Sequence, residues 1–220
     1  MNIITHDISF AGTSLTLTNQ RVLFWKKHNI LILSDLHLGK AAHFRKNGIA
    51  LPTQVTLHDL QRLENLIRYF PVKQVVIVGD IIHAGANTEV SLLQHFIGKF
   101  PDIHFVLIKG NHDRFTNTQW TTMGIHQIYQ DWYLDNIYFT HQTNIIPHSA
   151  TIIGHAHPGV RVRMPTKQFI TFPCFVVSSQ QITLPAFSRF TGLNTSPVSR
   201  DSARYAFHEQ DIFCVPHSNL

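Results

Sequence analysis

The chain has 220 residues, 44% of them hydrophobic, and carries a formal charge of +5 with a pI near 9.4. That length fits one domain, residues 1–220, with a sizeable core. It excludes a small disulfide-stapled scaffold, because Cys174 and Cys214 lie far apart and read as reduced thiols. No run of 18 apolar residues occurs, so no membrane-spanning helix is expected. The opening MNIITHDISF lacks the charged start and apolar stretch of a secretory leader, and a cytoplasmic location is expected. Lys and Arg are scattered rather than massed, so the basic balance permits an anionic partner without specifying one. Histidine is unusually frequent at 16 residues, and what matters is which of them fall beside carboxylates at strand ends.

Taken in order, Ile3 to Phe10 and Leu15 to Thr18 read as strands around the hairpin turn Ala11-Gly12, and Arg21 to Trp25 and Ile30 to Leu33 as strands around Lys26-Lys27-His28-Asn29. Pro52-Thr53 opens a helix, with Thr53 as N-cap. Leu60, Leu63, Ile67 and Phe70 fall on one face of a 3.6-residue period, and Pro71 ends it. A strand over Gln74 to Val78 follows, then a helix over Thr88 to Phe100 with Val90, Leu93 and Ile97 inward, then a strand over Ile103 to Ile108. Ile125 to Tyr129, Trp132 to Leu134 and Ile137 to Thr140 suggest antiparallel strands, and Thr151 to Ile153, Phe169 to Thr171 and Phe175 to Val177 continue that style. Residues 192–203, poor in apolar side chains, read as a mobile loop. No repeat, low-complexity tract or linker is present. The expected architecture is α/β (α+β): a β-sandwich of mixed sheets with helices packed outside.

Five polar clusters each follow a short apolar run: Asp35-Leu36-His37, Gly79-Asp80, Gly110-Asn111-His112-Asp113, the single His141, and Gly154-His155-Ala156-His157. Ligands in layered α/β sheets bind beyond the C-terminal ends of strands. Singly, each cluster has an ordinary reading as a turn or a surface histidine. Together they offer carboxylate, amide and imidazole ligands in a set that suits Mn²⁺, Fe or Zn²⁺ better than Mg²⁺ or Ca²⁺. Asp113 is positioned in sequence to orient His112. Lys40, His43 and Arg45 follow the first cluster closely, and Arg45 could grip a phosphate with two parallel hydrogen bonds.

The series D-x-H, G-D, G-N-H-D, H and G-H-x-H over Asp35 to His157 resembles the calcineurin-like metallophosphoesterase superfamily. Arg21 to Trp25, Asp35 to Pro52, Gly79 to His83 and Leu184 to Gly192 resemble one branch of it, the DNA-ligase-associated metallophosphoesterases described as DNA-damage-response endonucleases. The resemblance implies a four-layer fold, a central sandwich of mixed sheets flanked by helices. It implies two divalent transition-metal ions, Mn²⁺ first among the candidates, one held by Asp35, His37, Asp80 and His157 and the other by Asp80, Asn111, His141 and His155. Asp80 would bridge, and His112 with Asp113 would stand over the substrate phosphate. Lys40, Arg45 and His83 are candidates for contact with substrate; His83 replaces an aspartate common elsewhere in the superfamily, and its role is open. The implied activity is phosphodiester hydrolysis on nucleic acid in DNA repair, by attack of metal-activated water, alongside ligase and helicase-like partners, the protein itself being a monomer or homo-oligomer. A phosphomonoesterase or small-nucleotide hydrolase is the alternative, and a scaffold without catalysis a third reading that the complete ligand set argues against.

Overall fold

The computed structural model describes residues 1–40, 55–82, 87–142 and 149–216. The first sheet has seven strands in sequence order: β1 (Thr5–Phe10), β2 (Thr13–Thr18), β3 (Leu23–Trp25), β4 (Ile30–Ser34), β5 (Gln74–Val78), β6 (His104–Ile108) and β7 (Gln127–Tyr129). β1 to β4 pair antiparallel, and β4 to β7 pair parallel. The second sheet is built from β8 (Trp132–Leu134), β9 (Ile137–Thr140), β10 (Ala150–Ile153), β12 (Phe169–Val177), β13 (Gln181–Thr183), β14 (Ala203–Phe207) and β15 (Ile212–Val215) in the order β15-β14-β12-β13-β10-β9-β8, with β11 (Gly159–Arg163) paired to β12.

The central parallel strands β4, β5 and β6 are apolar except at one end residue each, because both of their faces are buried. Ile30, Ile32, Val76, Val78, Val106 and Ile108 point into the space between the sheets and meet Ile137, Phe139, Ile152, Phe175 and Ile182. Their alternates Leu31, Leu33, Val75, Ile77, Phe105 and Leu107 meet the helices. These are α1 (Val55–Tyr69), α2 (Asn87–Gly98) and the short α3 (Asn117–Thr122). Leu60, Leu63 and Ile67 of α1 and Leu93 and Ile97 of α2 are buried as their spacing requires, with Phe70 and Val90 partly so. Among the described residues all three helices lie on this one face. The outer side of the second sheet carries a smaller cluster of Val160, Cys174, Val176, Ala206 and Val215 instead. The N-cap expected at Thr53 lies outside the described residues.

Several expectations are corrected. β7 runs parallel to β6 and β9 parallel to β10, whereas β8 and β9 pair antiparallel. The apolar period sets the buried face but carries no strand direction. The runs expected at Phe169 to Thr171 and Phe175 to Val177 form one strand across Pro173. Proline is tolerated there because β12 changes partners at that point, pairing β11 up to Pro173 and β14 from Cys174 onward. The segment expected as a mobile loop is fastened at Asn194, whose N–H donates to His157 O at 2.9 Å and whose O accepts from Gly159 N at 2.8 Å. α3 was not expected, although Thr116 and Gln119 spell a capping box that the structure forms.

Candidate metal centre

The pairing register brings the five clusters to one edge of the sandwich. Ser34 is level with Val78, and Val78 with Ile108, so the turns after β4, β5 and β6 leave the first sheet side by side. Thr140 is level with Ile153 in the second sheet, which sets His141 beside Gly154. Backbone pairing persists past the strands: Asp35 N donates to Gly79 O at 3.0 Å and His37 N to Asp80 O at 2.9 Å. The two sheets approach closely here. A Cβ on Gly154 would stand 2.7 Å from Val78 O and 2.8 Å from the Ser34 side chain.

Two groups of side chains result, Asp35 with His37 and His157, and Asp80 with His141 and His155; within each, the ligand atoms lie within 4.8 Å of one another. Each group draws on both sheets. Asp35 Oδ1 is 3.0 Å from His157 Nε2 and 3.7 Å from His37 Nε2, and Asp80 Oδ2 is 3.4 Å from His141 Nε2. Asp35 Oδ1 and His141 Nε2 are nonetheless buried without a hydrogen-bond partner. A carboxylate oxygen and imidazole nitrogens thus converge within each group, a donor set that suits a transition-metal cation. The remaining oxygens hold the backbone: Asp35 Oδ2 accepts from His155 N and Asp80 Oδ1 from His112 N, both at 3.0 Å. His141 is oriented by Nδ1, 2.9 Å from Val78 O.

The electrostatics agree with a cation-seeking site. Burial pushes His37 down to about 3, keeping it neutral and ready to coordinate. Burial also opposes charge on His141, but contact with Asp80 and the charges of Asp35 and Asp80 outweigh it and hold the imidazole at about 9. Asp80 resists burial and stays ionised, drawn down to about 2 chiefly by His141, and Asp35 is lowered against burial chiefly by His157.

Among the described residues, five of the eleven non-glycine residues with positive φ are Asp35, His37, Asp80, His155 and His157. Left-handed backbone costs an L-residue roughly 1–2 kcal/mol. Its concentration at these positions marks a site retained for its chemistry rather than its stability.

Asp113 is placed differently from the expectation that it orients His112. Its carboxylate accepts from Asp80 N at 2.7 Å, Ile81 N at 2.9 Å and Gly110 N at 2.9 Å. It therefore ties the turn carrying Asp80 to the turn carrying Asn111 and His112. Burial pushes its carboxyl up to about 6, against the pull of the Gly110 amide. The His112 Nε2 stands 4.0 Å from Asp80 Oδ2, with the side chain 36% exposed. Asn111 is exposed on the same turn. Lys40 is half-buried within the field of Asp35 and Asp80; burial lowers its pKa and the two carboxylates oppose this. His43, Arg45 and His83 lie outside the described residues.

Comparison with known proteins decides the lineage. Residues 28–169 match the family described as calcineurin-like phosphoesterase. The chain belongs to that family. It is a metal-dependent phosphoesterase, and the family uses divalent ions. Among solved structures, a Pseudomonas putida nuclease MPE superposes with a TM-score of 0.82 at 25% identity, covering 96% of this chain and 100% of the nuclease. An Aquifex aeolicus protein of unknown function, AQ665, overlaps with a TM-score of 0.41 at 16% identity, over 58% of this chain and 78% of the other. No curated protein matches the chain.

This phosphoesterase also contains a buried ionic clamp that sequence reading missed. After β13 the chain crosses between the sheets. Leu184 N donates to Ile153 O at 2.9 Å, Phe187 N to Ser34 O at 2.8 Å and Ser188 N to Asp35 O at 3.2 Å. The strap thus spans the strand ends that carry Asp35 and His155. Arg21 donates to the carbonyls of Ala186 at 2.9 Å and Ser188 at 3.0 Å, and Arg62 to that of Phe187. Asp59 pairs with Arg62 at 3.0 Å and accepts from Ser188 and the Arg189 backbone. Arg62 also lies 4.1 Å over the Phe187 ring. Burial lowers Arg62 to about 9 and Arg21 to about 10, and Arg189 adds repulsion to both. Such guanidiniums are retained where carbonyls must be gripped in place.

Proposed function

We propose that this chain hydrolyses phosphodiester bonds of nucleic acid at a two-ion centre. The observation that carries the reading is the pair of three-residue groups of Asp and His, drawn from both sheets, whose ligand atoms converge within 4.8 Å of one another. The nuclease that superposes over its whole length supports the substrate class. Asp35, His37 and His157 would hold one ion and His141 and His155 the other, with Asp80 between them and Asn111 completing the second. Ions held there supply an activated water and neutralise charge on the phosphoryl oxygens.

The protein's own residues do the rest. Asp113 fixes the two turns so that Asp80 and His112 keep their spacing. His112, at the rim and partly exposed, is placed to hydrogen-bond a phosphoryl oxygen or to hand a proton to the leaving oxygen. Lys40 adds positive charge beside the carboxylates, and Arg45 and His83 extend the substrate contact. The strap behind Asp35 keeps that ligand from yielding. The resemblance to the ligase-associated branch supports Mn²⁺ as the ion and DNA repair as the setting, beside ligase and helicase-like partners.

The test is turnover of bis(p-nitrophenyl) phosphate and p-nitrophenyl phosphate, then of single-stranded, duplex and gapped DNA and RNA, each with Mn²⁺, Fe²⁺ and Zn²⁺. Cleavage of the diester and of a polynucleotide is expected. Hydrolysis of the monoester alone would replace the reading with phosphomonoesterase, and no turnover with any ion would refute it.

A further inference from the structure

A cavity of about 350 Å³ is lined by His58, Asp59, Arg62, Asn65, Arg189 and Phe190, among others. A second, of about 200 Å³, is lined in part by Arg21, Arg62 and Arg189. The first is the size of a small-molecule pocket. Its charge is unbalanced. Asp59 is committed to Arg62 and to the strap, and among the described residues Arg189 has no ion pair. Arg62 is 6% exposed, and its Nε is buried without a hydrogen-bond partner. The guanidiniums repel one another, a cost that a bound anion would relieve. Phe190, half-buried, adds an aromatic side chain to the lining.

One stretch of its lining is held against the strand end that carries Asp35. Ser188 N bonds to Asp35 O at 3.2 Å, and Arg189 follows one residue on, about 3.8 Å further along the chain. We propose that this cavity is a subsite for one nucleotide of the substrate strand, flanking the bond that is cut. Arg189 and Arg62 face its phosphate, and Phe190 and His58 its base. The subsite rests on the nucleic-acid reading above, but its geometry is separate from the metal ligands. Stacking on an aromatic ring with a cation at the backbone binds single strands without choosing sequence.

The experiment compares the wild type with Arg189→Gln and Phe190→Ala on bis(p-nitrophenyl) phosphate and on a labelled single-stranded oligonucleotide. Arg189 enters the strap through its backbone N–H, so its side chain is open to change; thermal melts confirm folding. The ratio of oligonucleotide to small-diester kcat/KM is expected to fall roughly tenfold in Arg189→Gln, the loss of one charge-assisted hydrogen bond. The slope of log affinity against log salt should become shallower by about 0.7, one phosphate contact on a single strand. Phe190→Ala should lower the ratio similarly and leave the salt slope alone. An unchanged ratio in both variants would overturn the subsite. Oligonucleotide binding by fluorescence anisotropy, read without turnover, keeps the two readings apart. A wild type that hydrolyses neither substrate refutes the catalytic proposal, whereas wild-type affinity and salt slope in Arg189→Gln refute the subsite.

Discussion

Gly79 offers the sharpest test of how the site is built. Its φ is +77°, and a Cβ there would stand 2.0 Å from His141 Nδ1 and 2.4 Å from Cγ of the same ring. Gly12, in the β1–β2 turn, has φ +76° and nothing within 4 Å of the same position. Alanine at either glycine therefore incurs the same backbone strain, roughly 1 kcal/mol. Only Gly79→Ala also drives out a ring that is 2% exposed. That displacement breaks the Nδ1 contact with Val78 O, about 1–3 kcal/mol when the groups are buried, and overpacks the core by about 1–3 kcal/mol more. The expected difference between the variants is about 3 kcal/mol, which is roughly 6–12 °C in Tm at this chain length. Melting curves of both variants, with metal content by plasma mass spectrometry, make the comparison. Gly79→Ala should also lose the ion assigned to His141, and Gly12→Ala should keep both. Equal melting temperatures and equal metal content would refute the placement of His141 against this turn.

Removing the shared carboxylate, Asp80→Ala, should abolish activity and empty both positions, as read by metal analysis after dialysis; a variant still holding two ions would show that Asp80 does not bridge. His112→Ala should retain metal but lose roughly 10²–10⁴-fold in kcat, the usual range for a proton-transfer residue, in steady-state assays with bis(p-nitrophenyl) phosphate. The Cys174 thiol, pushed up to about 12 by burial, carries almost no thiolate at pH 8, whereas Cys214 is exposed. Ellman's reagent should then titrate one thiol in the folded protein and two in guanidinium. Chelation should lower Tm, and added Mn²⁺ should restore it with the logarithmic concentration dependence of a ligand that binds only the folded state.

Much of the centre was legible because two signals coincide. Strands buried on both faces read as unbroken apolar runs, and the polar clusters stand where those runs stop. Ile30 to Ser34, Gln74 to Val78 and His104 to Ile108 are of this kind, and their clusters converge. The backbone role of Asp113 was not legible because sequence shows only its neighbour His112; its partners at Asp80 and Ile81 are more than thirty residues away. The clamp was illegible for the same reason. Arg21 meets carbonyls 165 and 167 residues distant, and arginine in isolation reads as solvated surface. Strand β11 shows the opposite failure: Val160 and Val162 alternate with Arg161 and Arg163, a period-two signal that was present and passed over.

Each candidate cage takes ligands from both halves of the sandwich, Asp35 and His37 facing His157, and Asp80 facing His141 and His155. The ions would therefore act as rivets as well as reagents. No cage is whole until synthesis has passed residue 157 and the halves have closed on each other, so a nascent or partly opened chain has only incomplete sets to offer. Loading would then be conditional on correct assembly, and a chain that closed wrongly would hold no whole cage.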